Sequence, residues 1–360
     1  MKYDYLDKIN ICFIIGPARS GTTLLSLILH NHDQCIAAPE IKHFLYFYRK
    51  YNNISCVSKE LQNDIRQFYN LLIIDTKNLI FNIDQEIKPI ELNIGEKITY
   101  AQLIKLIYLS FYSKNKNIGD VTCIIDKNPY YAFQIDKIIH VFPDAKFICI
   151  NRDYRANVLS NRQSIKSHLK LRSIAYYSTI WKLYSVQLRN AIIKYPEKCL
   201  KISYENLVLD KDNEVKRVMD FVNLPFDSKV FNFHENLLDK LNKLNLTGKE
   251  YERVIKKVTD LSRPINKDRL FSWKDQLKED EIKQIEFMCS SVGDFFNYNS
   301  IKKLSLIEKI KFAIQSIPGY IRVKLFFLID SYYLYLILND YREIKIRKKH
   351  KLNISSIKNN

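Results

Sequence analysis

The stretch "GPARSGTT", residues 16–23, puts two of the chain's seven glycines, Gly16 and Gly21, at the ends of a six-residue loop. It follows the apolar run "ICFII" (11–15) and opens into "LLSLIL". A strand that ends in such a loop and feeds a helix turns backbone N–H groups and the positive end of a helix dipole toward one point, which favours an anion. The G-x-x-x-x-G spacing matches the first half of a nucleotide P-loop, but Thr22 stands where the lysine that serves triphosphates is expected. Arg19 supplies a cation instead, and Ser20, Thr22 and Thr23 offer hydroxyls to phosphate oxygens. A tight turn with no ligand is the alternative for the bare glycine pattern; the adjoining "RSGTT" points to binding.

A second constellation is "NRDYRANVLSNRQS", residues 151–164. Arginine is the minor basic residue, 15 of the 57 lysines and arginines, yet Arg152, Arg155 and Arg162 fall together after the apolar run "KFICI" (146–150). Ligands of open α/β sheets bind at the carboxyl ends of strands. Arg152 at the strand end and Ser160 on the following helix suit a second phosphate, whose oxygens match the arginine fork. Arg155 fits a solvated helix face better.

These sites need strands that end on one side. Runs at 11–15, 121–125, 146–150 and 199–203 alternate with segments of helical period at 22–31, 59–72, 101–113, 130–142, 156–167, 172–194, 213–222 and 279–292. The pattern predicts an α/β fold, a central parallel sheet flanked by helices. Residues 41–119 are too long for a simple crossover and read as an insertion that shapes the acceptor side of a domain spanning 1–300. Residues 301–360 form a helical basic extension, with an apolar stretch at 325–338 interrupted by Asp330 and clustered basic charge at 342–352. It reads as a helix packed on the domain with a solvated tail, or as a peripheral membrane contact.

The net charge of +18 implies an acidic partner, although Lys-rich composition raises charge without any functional demand. No nucleic-acid-binding motif accompanies it. Seven cysteines without a C-x-x-C pair suggest reduced, buried thiols rather than a disulfide frame or a zinc site, so no metal is expected. The first ten residues lack a signal-peptide pattern and no apolar run is long enough to span a bilayer, which together predict a cytoplasmic protein.

Together the two anion sites resemble the sulfotransferases that use 3′-phosphoadenosine 5′-phosphosulfate (PAPS). "GPARSGTTLL" is similar to their 5′-phosphosulfate loop and "RDYRANVLS" to their 3′-phosphate site, Arg-to-Ser spacing included. "ISYENLVLDKDNEVKRVMDFVNLP" (202–225) resembles a later strand-and-helix segment, which implies that Tyr204 lies near the nucleotide. "LSRPINKDRLFSWKDQL" (261–277) resembles the closing loop, which implies that Arg263 reaches the 5′-phosphate side. The layout is closest to the tyrosylprotein and carbohydrate branches. By that resemblance Glu40 of "APEIK" is the general base and Lys127 of "DKNP" steadies the transition state with Arg19, without a metal ion. The tyrosylprotein pattern has an arginine four residues beyond the 3′-phosphate serine, where this chain has Ser164, with Arg162 two residues earlier.

His43 and His32 are the rival bases, and each suits a surface or packing role better. Two other function classes stay open: a P-loop kinase with Asp126 as its Walker-B-like acid, and a non-catalytic basic protein that binds nucleic acid or an anionic membrane. The acceptor hydroxyl belongs to a sugar, a tyrosine or a small alcohol, with a lean toward carbohydrate or glycolipid that no residue dictates.

Overall fold

The computed structural model describes residues 2–38, 40–74, 85–113, 116–163, 173–234 and 267–337. In chain order, β1 (Asn10–Ile15) leads into α1 (Thr22–His30), β2 (Cys35–Ala38), α2 (His43–Tyr51), α3 (Lys59–Ile74), β3 (Gln85–Ile87), α4 (Tyr100–Leu109), β4 (Phe111–Ser113) and β5 (Cys123–Lys127). Then follow α5 (Ile135–Val141), β6 (Lys146–Asn151), α6 (Tyr154–Gln163), α7 (Ile174–Lys194), β7 (Cys199–Ser203), α8 (Tyr204–Leu209) and α9 (Lys211–Phe221). After a stretch outside the described residues come α10 (Asp268–Phe271), α11 (Trp273–Gln276), α12 (Glu279–Gly293) and α13 (Leu306–Ile337).

Five strands form one parallel sheet in the order β2–β5–β1–β6–β7. Its central strands are apolar throughout because both faces are covered, and the period of two divides each strand between two cores. On one face Phe13, Ile15, Phe147 and Ile124 pack with residues of α2, α4, α7 and α12. On the other, Cys12, Ile14, Ile125 and Ile148 pack with Leu25 and Ile28 of α1 and with Val215 and Val218 of α9. This is the α/β architecture expected from the alternating pattern.

The edge strand β2 was not predicted. Four small or apolar residues, "CIAA", carry no strand signal of their own, and pairing with β5 decides their conformation. The helix expected over 101–113 stops at Leu109, and 111–113 pairs antiparallel with 85–87. Ser110 marks the break: its hydroxyl donates to the Ile107 carbonyl (2.7 Å) and accepts from Tyr69 (2.8 Å). The helix expected over 130–142 is a 3₁₀ turn, Pro129–Phe133, followed by α5. Residues of 41–119 contribute to the core: Phe44, Phe47, Leu103 and Ile107 lie in the same core as Phe13.

The long α13 is held against α7 by a glycine. A Cβ on Gly319 would stand 2.7 Å from the Ala175 Cβ and the Tyr176 amide, so only glycine permits this approach. Among the described residues no helix is long and apolar enough to cross a membrane.

Candidate active site

Parallel pairing puts the carboxyl ends of all five strands along one edge, and each of them carries a residue singled out above. In spatial order these are Glu40 just beyond β2, Lys127 at the end of β5, the Gly16–Gly21 loop after β1, Arg152 after β6 and Tyr204 after β7. Register fixes the neighbours: Lys127 pairs with Ile14 and Cys149 with Ile15, so the loop emerges between Lys127 and Arg152.

Both loop glycines are required. A Cβ on Gly16 would lie 2.1 Å from the Ile150 carbonyl oxygen of the adjacent strand. Gly21 has φ +90°, and its Cβ would stand 2.5 Å from the Tyr204 ring. Arg19, at φ 68°, also takes the left-handed conformation, which is uncommon for a side-chain-bearing residue. The loop is strapped from α6: Asn157 Nδ2 donates to the Ala18 carbonyl (2.8 Å) and to Ser20 Oγ (3.0 Å). Ser20 is fully buried, so its hydroxyl anchors the loop to α6 rather than fronting it. No side chain caps α1, whose first residues are Thr22 and Thr23, and its leading N–H groups have no partner within the helix.

The two segments expected to bind anions are joined. Arg19 Nε donates to Ser160 Oγ (3.2 Å), and Arg152 Nη1 donates to the Arg19 carbonyl (3.2 Å). Arg152 Nη2 donates to the Arg269 carbonyl (2.8 Å), and its guanidinium lies 4.5 Å from the centroid of the Tyr204 ring. Tyr204 therefore fills the space between Gly21 and Arg152. Arg152 is buried, its Nε lacks a partner, and no carboxylate pairs with it among the described residues. Burial pulls its pKa below the ordinary arginine value and Arg19 adds to that, while Tyr204 and Glu205 act in the opposite sense.

At the other end, the Lys127 ammonium donates to Glu40 Oε2. The lysine side chain is 7% exposed and the glutamate 46%, so the carboxylate faces the open side of the pair. Behind them Asp126 is fully buried and accepts from the Tyr108 hydroxyl; burial pushes its carboxyl up to about 8. His43 is also fully buried, edge-on to Tyr108 at 4.2 Å, and burial pulls it down to about 3. His32 is bound at Nε2 to the Pro225 carbonyl (3.0 Å) and at Nδ1 accepts from the Gln34 amide (3.1 Å). Both histidines are packing residues.

Arg155 departs from the expected solvated face. It is buried between Asp153 (2.6 Å) and Glu286 (2.7 Å) and lies 4.3 Å from the Trp273 ring centroid. Arg162 pairs with Glu281 (2.7 Å). Arg263 and Ser164 lie outside the described residues.

A profile described as "Sulfotransferase family" matches residues 12–228, a span that contains the loop, Glu40, Lys127, Arg152, Ser160 and Tyr204. The chain belongs to the sulfotransferase family. Its relatives include protein-tyrosine sulfotransferase A of Caenorhabditis elegans, 28% identical over 45% of this chain and 42% of that protein. Protein-tyrosine sulfotransferase 1 of Danio rerio is 27% identical over 42% of this chain and 41% of its own length. The chain thus covers less than half the length of either. Among solved structures, the sulfotransferase domain from the Synechococcus PCC 7002 olefin synthase matches with a TM-score of 0.49 and 18% identity, over 81% of this chain and 96% of that one.

Sequence reasoning missed the supports of this sulfotransferase-family site. Asn157 straps the loop, and Asn161 Nδ2 donates to Asn157 Oδ1 (2.9 Å). Asn151 Oδ1 accepts from the Arg152 amide (2.9 Å), and Trp181 Nε1 donates to the Arg152 carbonyl (2.9 Å). Asn157 and Asn161 are four apart on the helix that carries Ser160, a spacing that puts them on one face. That was the available signal. Trp181 lies on a different helix and had none.

Proposed function

We propose that this chain transfers the sulfuryl group of PAPS to the hydroxyl of a protein tyrosine. The observation that carries the reading is the chain of contacts Arg152–Arg19–Ser160, which makes one site of two anion-binding features. A buried arginine with an unpartnered Nε and no carboxylate partner among the described residues suits a dianionic phosphate. The loop N–H groups and the start of α1 suit a second anionic group of the same nucleotide. PAPS, when bound, supplies a sulfuryl group activated by its link to phosphate.

The protein's own part is positioning and charge. Arg152 and Ser160 hold the 3′-phosphate, the Arg19 loop with Thr22 and Thr23 holds the 5′ side, and Tyr204 walls the space between. Glu40 accepts the proton of the attacking hydroxyl. Once protonated it no longer neutralises Lys127, whose charge then serves the oxygens at the transfer point. Base and cation are thus coupled through their ion pair. A tyrosine acceptor is supported by the names of the relatives; the lean toward carbohydrate rested on no residue and is replaced.

The test measures labelled-sulfate transfer from PAPS to tyrosine peptides, oligosaccharides and small alcohols, with donor binding followed by calorimetry. Transfer to the peptides is expected, with tight binding of adenosine 3′,5′-bisphosphate in the absence of Mg²⁺. Glu40→Gln should lower kcat by about 10²- to 10⁴-fold and leave bisphosphate affinity unchanged. Near-normal turnover in that variant removes Glu40 as the base, transfer confined to glycans removes the tyrosine acceptor, and a preference for Mg·ATP supports a kinase.

A further inference from the structure

The helix α13 contradicts the ordinary rule for a surface helix, that one face is apolar and buried while the other is polar. Its inner side is buried at Phe312, Gly319 and Val323, which seat it on the domain. On the outside, Ile310, Ile314, Ile317, Ile321, Leu325 and Leu328 are each more than half exposed. Their spacings of three and four residues put them in one stripe along the axis, on the side opposite the buried one. Isolated exposed apolar residues need no explanation, whereas a continuous stripe over five turns does.

The flanks of the stripe are basic. By helical position Lys309 and Lys324 border one side, and Lys311 and Arg322 the other; all four are exposed. Lys311 reaches Asp280 (2.6 Å), and Lys324 lies over the Tyr320 ring. The single acidic residue between 306 and 328 is Glu308, which is turned inward to Lys283 (2.9 Å). Beyond the described residues the sequence continues with "REIKIRKKHKL" at 342–352, which adds more positive charge.

We propose that α13 is an interfacial helix that lays its outer stripe on an anionic lipid surface. An apolar stripe bordered on both sides by long cationic side chains lets the isoleucines enter the acyl boundary while the ammonium groups remain at headgroup level. A second copy of the chain fits less well, because pairing two such stripes brings lysine flanks of the same sign together. As far as it is described, α13 is not long and apolar enough to cross a membrane. The contact would hold the enzyme against a surface through a helix that carries none of the proposed site residues.

The full chain is tested by co-sedimentation with phosphatidylcholine vesicles, with and without about a quarter phosphatidylserine, alongside analytical ultracentrifugation in the absence of lipid. Binding to the anionic vesicles is expected, weakened by high salt. Changing Ile310, Ile314, Ile317 and Ile321 together to serine should reduce it at least about tenfold, and Lys309→Glu with Lys324→Glu several-fold. Unchanged thermal unfolding shows that the variants are folded; should the fourfold variant unfold, Ile314→Asn alone makes the comparison. The proposal is overturned if the wild type stays in the supernatant, if neutral and anionic vesicles bind it equally, or if the stripe variant binds as the wild type does. A wild-type dimer that the stripe variant converts to monomer, without vesicle binding, assigns the stripe to a second copy and overturns it as well.

Discussion

Arg152 shows how one side chain can tie the glycine loop to a distant segment of the chain. Its main chain is fixed on both sides: the amide donates to Asn151 Oδ1 at the end of β6, and the carbonyl accepts from Trp181 Nε1. Its guanidinium spends two of its N–H groups on carbonyl oxygens of Arg19 and Arg269. Lysine retains the charge but lacks the planar fork, and its single nitrogen cannot stand at the two separate positions from which Nη1 and Nη2 meet these carbonyls. Arg152→Lys should therefore weaken adenosine 3′,5′-bisphosphate binding about 10- to 100-fold by calorimetry, the range of a lost charge-assisted bond. Affinity within about twofold of wild type would show that Arg152 does not touch the nucleotide.

At the scale of elements, 41–119 was expected to be an acceptor-side insertion, and its helices also form one wall of the core. Phe44 of α2 is fully buried against Tyr131 and Phe142, and Phe13 of β1 meets the same two rings. Removing the Phe44 ring leaves a cavity beside Tyr131 and Phe142, which pack on Phe13 of the strand that leads into the loop. Phe44→Ala should cost about 3–5 kcal/mol in chemical denaturation and should lower the midpoint of a single transition. Separate early unfolding of 41–119, with the remainder as stable as before, would show that this segment is an appendage. The strap from α6 to the loop belongs to the same scale, since it works only because β1 and β6 are neighbours.

For the molecule as a whole, the buried polar groups behind Lys127 set a pH dependence. Asp126, raised from 3.8 to about 8, keeps its proton in the folded state after the unfolded chain has lost it. Its contribution to stability is full at low pH and is lost as pH rises toward about 8. His43, lowered from 6.5 to about 3, acts oppositely: the unfolded chain takes up a proton that the folded one refuses, so stability is lost as pH falls below 6.5. The two slopes oppose one another at mildly acidic pH, and only the Asp126 slope continues above 6.5. Between pH 6.5 and 8 the wild type should lose about 2 kcal/mol that Asp126→Asn does not lose, measured by denaturant titration at the two values. Parallel pH curves for the two proteins would show that Asp126 is ionised in the fold.

What was legible in the sequence was what neighbouring residues specify. A glycine loop between an apolar strand and a helix, and an arginine eight positions before a serine, are short-range patterns, because backbone sterics and helix dipoles act over a few residues. The four short apolar runs, alternating with helical periods, pointed to the parallel sheet for the same reason. Tertiary structure decided the rest. The pairing of Glu40 with Lys127, 87 residues apart, depends on the edge strand β2 lying against β5, and "CIAA" has no strand preference strong enough to announce that. The burial of His43, the Asn157 strap and the insertion of Tyr204 between Gly21 and Arg152 likewise arise from packing between distant segments. Contacts of that kind depend on strand order and on the shape of the closed core, which no local stretch of chain encodes by itself.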